Sequence, residues 1–191
     1  MKNQRKKNTI VKGTFVDNWI KWGTGLIDAK KTLEGTTPTT IRMIKYFKPK
    51  EFACKHCGDI IPMSLSLVEA LDWLRGEFGI PFVVTSGYRC KTHNTAVNGA
   101  KNSFHMQGKA ADITVARKDL LQVIYRVGIV SGKFNGVGLE ENRFIHFDTG
   151  NRAQPYYFVY LPEGGYKQLN PDILVEIKIK SVPEYLQEYK V

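Results

Sequence analysis

An α+β fold is predicted by three features of the 191-residue sequence. One stretch carries apolar residues at helical spacing, several short runs are β-branched or aromatic and bounded by turn residues, and the two patterns alternate along the chain. Ser66 followed by Glu69 reads as a capping box, and Leu67, Ala70, Leu71, Leu74 and Phe78 recur on one helical face until Gly79 ends the run. A core-facing helix is expected there. Pro81, Phe82, Val83, Val84 and Thr85 form a short apolar run that ends at Ser86 and Gly87, the pattern of a buried strand entering a turn. The polar stretch 88–109, with Gly99 and Gly108, reads as a long loop, and loops of that length are uncommon unless they serve a function. A second helix is expected over residues 118–127, and a hairpin over residues 136–139 and 144–148. After Gly150, residues 156–160 and 173–179 read as two more strands with a Gly164-Gly165 turn between them.

The chain divides into a basic arm (1–43), a compact α+β domain (44–150) and a β-rich extension (151–191). The arm holds a Thr-rich turn at 35–40 and a short amphipathic segment near 19–27. A content of 42% hydrophobic and 24% charged residues, with 10 Phe, 9 Tyr and 3 Trp, fits one folded domain with added segments. There is no internal repeat or low-complexity tract. Every apolar run is interrupted well short of the roughly 20 residues a membrane helix needs, which excludes a transmembrane helix. Lys2, Arg5, Lys6 and Lys7 could open a signal peptide, but Lys12, Gly13, Asp17 and Asn18 break the apolar stretch that follows. No secretion signal is read, and synthesis in the cytoplasm is expected.

Residues 1–50 hold 12 Lys and Arg against 3 Asp and Glu, so nearly all of the net charge of +10 lies there. Such an arm suits an anionic partner: a wall polymer, a membrane surface or a nucleic acid. No helix-turn-helix or RNA-binding signature accompanies it, so nucleic acid is the least favoured of these. Three cysteines cannot pair completely. Cys54 and Cys57 form a CxxC around His56, and Cys90 lies further on, leaving three alternatives: a structural metal on the thiolates, a local disulfide, or plain buried thiols.

Of the four histidines, His105 precedes Asp112 by seven residues, with the small residues Gly108, Ala110 and Ala111 between them allowing the backbone to fold back. His146 lies on an expected strand between Ile145 and Phe147, where a polar side chain needs a partner. Two imidazoles and a carboxylate, with a fourth position left to water, are the ligand set of a catalytic zinc.

The runs Thr85-Ser86-Gly87-Tyr88-Arg89, His93-Asn94, Asn98-Gly99-Ala100, Ser103-x-His105-x-x-Gly108-x-Ala110-x-Asp112 and Phe144-Ile145-His146-Phe147-Asp148-Thr149-Gly150 resemble the zinc D-Ala-D-Ala carboxypeptidase family. That family includes peptidoglycan endopeptidases and phage lysins and shares its fold with the hedgehog signalling domain. The resemblance spans residues 46–150, with a lead-in at Phe47, Glu51 and Phe52, and SxHxxGxAxD is its specific element. It implies a hedgehog/D-Ala-D-Ala-peptidase-like small antiparallel sheet with flanking helices, and a Zn2+ ion held by His105, Asp112 and His146. It also implies substrate contacts from Arg89, Tyr88 and Ser103. Arg89 would grip a stem-peptide carboxylate through its planar fork, or else pin the loop by a salt bridge. His93 would supply a cation to the oxyanion or hold the loop by a hydrogen bond.

Many relatives carry an acid three positions before the last zinc ligand, where this chain has Arg143. For the general base Asp148 is expected first, since on a strand it faces the same side as His146, with Glu141 second and Glu140 third. The implied activity is zinc-dependent hydrolysis of peptide bonds in peptidoglycan stem peptides or cross-links, as endopeptidase or D,D-carboxypeptidase. The setting would be a phage endolysin or virion-associated lysin, made in the host cytoplasm and acting at the wall after release or within a virion. Its basic arm would meet wall polymers or virion proteins. The alternative is a phage structural or cargo protein that keeps the fold without turnover.

Overall fold

The computed structural model describes residues 44–170 and, beyond them, residues 183, 184 and 187. The expected arm, its amphipathic segment and the strand over 173–179 lie outside the described residues. Six strands form one sheet in the order β1-β2-β4-β3-β5-β6: β1 (Val83–Ser86), β2 (Ala110–Thr114), β3 (Gly136–Glu140), β4 (Phe144–Asp148), β5 (Tyr156–Tyr160) and β6 (Tyr166–Gln168). All neighbours run antiparallel except β3 and β5, which are parallel. The fold is thus α+β with a mostly antiparallel open sheet and few helices. The sheet does not stop at Gly150, because β5 and β6 extend it beside β3.

Strand alternation divides the chemistry between two faces. Ala111, Ile113, Val137, Leu139, Ile145, Phe147 and Tyr157 point into the core, where they meet α1 (Leu65–Phe78) and α3 (Leu121–Val130). Helix α1 buries Leu67, Ala70, Leu71, Leu74 and Phe78, the stripe that the spacing predicts, together with Val68, and it ends at Gly79. Its start differs from the capping box expected at Ser66. Ser64 is the N-cap, and its own N–H donates to the Gly108 carbonyl at 2.7 Å, so a tertiary bond sets the first turn. The second helix begins with a 3-10 turn (Lys118–Leu120) and continues three residues past its expected end, to Val130.

The stretch 88–109, expected to be a loop, holds the short helix α2 (Lys91–Ala96) and a 3-10 turn (Phe104–Gln107). Both are brief and polar, and the only buried residue of α2 is Asn94, so no apolar periodicity marks it. Asn94 Nδ2 donates to the carbonyls of Gly99 and Ala100, closing the loop that leads to Ser103.

Candidate metal centre and cleft

The face opposite the core carries a transverse row of residues paired strand to strand: Ser86 with Asp112, Asp112 with His146, His146 with Gly138, and Gly138 with Phe158. Asp112 and His146 are therefore direct cross-strand neighbours. His105 reaches the same point from the 3-10 turn, whose N-cap Ser103 accepts a bond from the His105 N–H at 3.3 Å. Asp112 Oδ1 lies 3.2 Å from His105 Nε2 and 2.9 Å from His146 Nδ1, and the two nitrogens are 3.2 Å apart. A tetrahedral zinc with bonds of 2.0–2.1 Å spaces its ligand atoms by about 3.3 Å, so this triangle fits one ion.

The outer bonds of the imidazoles explain why these atoms face one another. His105 Nδ1 lies 2.7 Å from the Gly87 carbonyl, which can only accept, so the ring proton sits there and Nε2 is left with a lone pair. His146 Nε2 donates in the same way to Asp148 Oδ2 at 3.2 Å, leaving Nδ1 for the centre. Two imidazole nitrogens and a carboxylate oxygen thus converge at hydrogen-bonding distances, and a cation fits there in place of the proton that His146 Nδ1 shares with Asp112. Burial pushes His105 down and the Asp112 charge recovers only part of the shift. Burial pushes the Asp112 carboxyl up, but His105 and His146 outweigh it and hold it far below the carboxylate range.

A cleft of about 740 Å³ opens over this row. Arg89, Ser103, His93 and Glu140 line it. Arg89 is committed inward, its Nε donating to Ser86 Oγ at 2.7 Å and its Nη2 to Asp112 Oδ2 at 2.5 Å, which leaves Asp112 Oδ1 for the centre. Tyr88 is not among the cleft residues and packs against the core, its hydroxyl pushed up by burial and then by the charge of the nearby thiols. Asp148 is fully buried behind His146, where its Oδ1 accepts from the Gly150 N–H at 2.9 Å and pairs with Arg152. Burial raises its pKa, but His146 and Arg152 outweigh this and lower it. Glu141 stands exposed on the β3–β4 turn, away from the cleft, whereas Glu140 is half-buried and paired with Arg143.

Several cleft residues escape the sequence reading. Tyr156, Phe158 and Tyr160 form an aromatic wall on β5, with the Phe158 ring 5.9 Å from that of His146. Their period-2 spacing is visible in the sequence, but which face it serves depends on the partner strand. Gly136 and Gly138 on β3 make this packing possible, since a Cβ would collide with the Asp148 carboxylate at the first and with the Phe158 ring at the second. Arg152, four residues after Asp148, gave no signal at all.

An open, mostly antiparallel sheet that gathers two imidazoles and a carboxylate above a cleft is the scaffold of a metallopeptidase. Residues 45–148, more than half of the chain, match the family model for Peptidase M15, and the chain belongs to that family of zinc peptidases. No curated protein matches it. No helix among the described residues is long and apolar enough to cross a membrane.

Proposed function

We propose that the chain is a zinc peptidase that hydrolyses peptide bonds in peptidoglycan stem peptides or cross-links, as a phage endolysin or virion-associated lysin. The observation that carries the zinc is the triangle of His105 Nε2, Asp112 Oδ1 and His146 Nδ1, each atom turned inward by an outer partner. The wall substrate is supported by the family resemblance and by a net charge of +10, suited to anionic wall polymers. Zn2+ held by these three residues would supply a Lewis acid and a nucleophilic water at neutral pH.

The remaining roles belong to the chain's own side chains. Arg89 and Asp148 act as positioning residues, the first through Asp112 and the second through His146. Apart from Asp112, Glu140 is the carboxylate that lines the cleft, and we assign it the proton-accepting role, with Arg143 holding its carboxylate. Tyr156 and Phe158 offer an apolar wall to the peptide and keep water from one side of the centre. Zinc content and release of new amines from purified peptidoglycan, measured on wild type and His105→Ala, test the reading. Metal-dependent release that the substitution abolishes is expected, and Glu140→Gln is expected to lower kcat about 10²- to 10⁴-fold with metal content intact. Zinc binding without turnover on several wall types would instead favour a structural virion protein, the reading to which Arg143 in place of an acid points.

A further inference from the structure

The cleft makes no use of the three cysteines. Cys54 and Cys57 stand on the turn after the first 3-10 segment (Pro49–Phe52), and Cys90 is the N-cap of α2. Their sulfurs lie within 4.8 Å of one another, and none of the three is in a disulfide. Tetrahedral zinc with Zn–S bonds near 2.3 Å places its sulfurs about 3.8 Å apart, within a small side-chain rotation of this arrangement.

The backbone around the sulfurs is arranged for negative charge. The Cys54 N–H donates to the Asp59 carbonyl and the Gly58 N–H to the Cys54 carbonyl, both at 2.9 Å, in a tight turn that requires φ of 77° at Gly58. That turn aims the amides of His56 and Cys57 at Cys54 Sγ, and the Cys90 N–H joins them from across the gap at 3.4 Å. The His93 N–H donates to Cys90 Sγ, also at 3.4 Å. A neutral thiol is a weak acceptor, so several N–H donors gathered on sulfur stabilise a thiolate. Burial pushes the Cys54 thiol up, yet these amides outweigh it and bring it down to about 5. At Cys57 the Asp59 amide favours the thiolate, but the Asp59 carboxylate and the two neighbouring sulfurs push it up to about 12. Three sulfurs this close together, with N–H donors gathered on them, form a cluster that a thiophilic cation fits.

Two imidazoles border the cluster. His93 Nδ1 is 3.4 Å from Cys54 Sγ, and His56 Nδ1 is 3.7 Å from Cys90 Sγ. His93 is half-buried and anchored on α2 one turn after Cys90, whereas His56 is exposed in the turn between Cys54 and Cys57. We propose that Cys54, Cys57 and Cys90, closed by the imidazole of His93, bind a second zinc ion in a purely structural site. Four protein ligands leave no open position, the mark of a structural rather than a catalytic centre. The ion would staple the 54–59 turn to the segment that supports the cleft. In that segment Tyr88 N–H bonds the Phe52 carbonyl at 2.8 Å, the Gly87 carbonyl orients His105, and Arg89 holds Asp112.

The test uses the full chain. Wild type is expected to hold about two zinc ions, and His105→Ala and Cys57→Ser about one each. Replacement by Co2+ is expected to give a near-ultraviolet thiolate-to-cobalt charge-transfer band in wild type and His105→Ala alike, and none in Cys57→Ser. The His105, Asp112 and His146 centre contains no sulfur, so the band reports the cysteine site whether or not peptidase activity is found. If Cys57→Ser fails to fold, the His105→Ala spectrum still decides. His93→Ala is expected to weaken zinc retention against a chelator by more than the ~10-fold that loss of even an outer partner costs, and His56→Ala to leave it unchanged. Absence of the band in wild type, or a disulfide found by mass spectrometry of the unreduced chain, would overturn the site. The reverse pattern at the two histidines would overturn His93 as the fourth ligand.

Discussion

Asp148 touches the centre only through His146, and its carboxylate is held from three sides by His146, Gly150 N–H and Arg152. Asp148→Asn preserves the volume but lacks the charge that those donors need. Metal affinity is expected to fall about 10- to 100-fold, read by competition with a chromophoric chelator, and an unchanged affinity would remove the orienting role. His146 gives the pH dependence. Burial pushes it down, but Asp112 and Asp148 win, and without a bound cation its pKa rises to about 9. A metal must displace that proton, so in Cys57→Ser, which leaves the His105, Asp112 and His146 site alone, affinity is expected to climb about tenfold per pH unit up to about 9, and calorimetry in buffers of different ionisation enthalpy at neutral pH should count about one released proton. A pH-independent affinity would show that His146 is not a ligand. The grouping of His105, Asp112 and His146 was legible because SxHxxGxAxD, the element that carries the family resemblance, spaces the first two across small residues and a strand histidine needs a partner. Arg152 was not, since its bond to Asp148 depends on how the chain turns after β4.

At the scale of elements, β3 matters for what it lacks. Gly138→Val would drive a branched side chain into the Phe158 ring beside His146. A cost of about 1–3 kcal/mol is expected from overpacking, together with loss of turnover at near-normal metal content. Thermal melts and metal analysis check this, and a variant with wild-type melting and turnover would mean the aromatic wall is dispensable. The α1 stripe and the β3–β4 hairpin could be read from periodicity because burial of one face dictates the pattern. Helix α2 could not, because it is held by a Cys90 cap and the side chain of Asn94 rather than by an apolar face. The start of α1 at Ser64 rather than Ser66 has a similar cause, a tertiary bond to Gly108 that no local pattern announces.

For the whole molecule, the sheet places residues far apart in sequence side by side, and the strands after Gly150 are part of it. Removing residues 151–191 would strip away Tyr157 and Phe158, both buried. Loss of a large buried aromatic costs about 3–5 kcal/mol, against a typical total stability of about 5–15, so the truncated chain is expected to lose cooperative melting by circular dichroism. A sharp melt near the wild-type temperature would show that the sheet can close at β3. The parallel pairing of β3 with β5 is the least legible feature of the fold, because the partner and direction of a strand are decided by the rest of the sheet.

The transverse row from Ser86 through Asp112 and His146 to Phe158 also makes the centre a gauge of correct folding. Successive side chains on a strand point to opposite faces, so a slip of one residue between β2 and β4 would bring Ala111 or Ile113 opposite His146 and turn the carboxylate toward the core. A chain that mispairs these strands loses the candidate site of His105, Asp112 and His146. Metal uptake by Cys57→Ser during refolding can therefore be followed as a count of molecules whose strands have found the right partners in the right alignment.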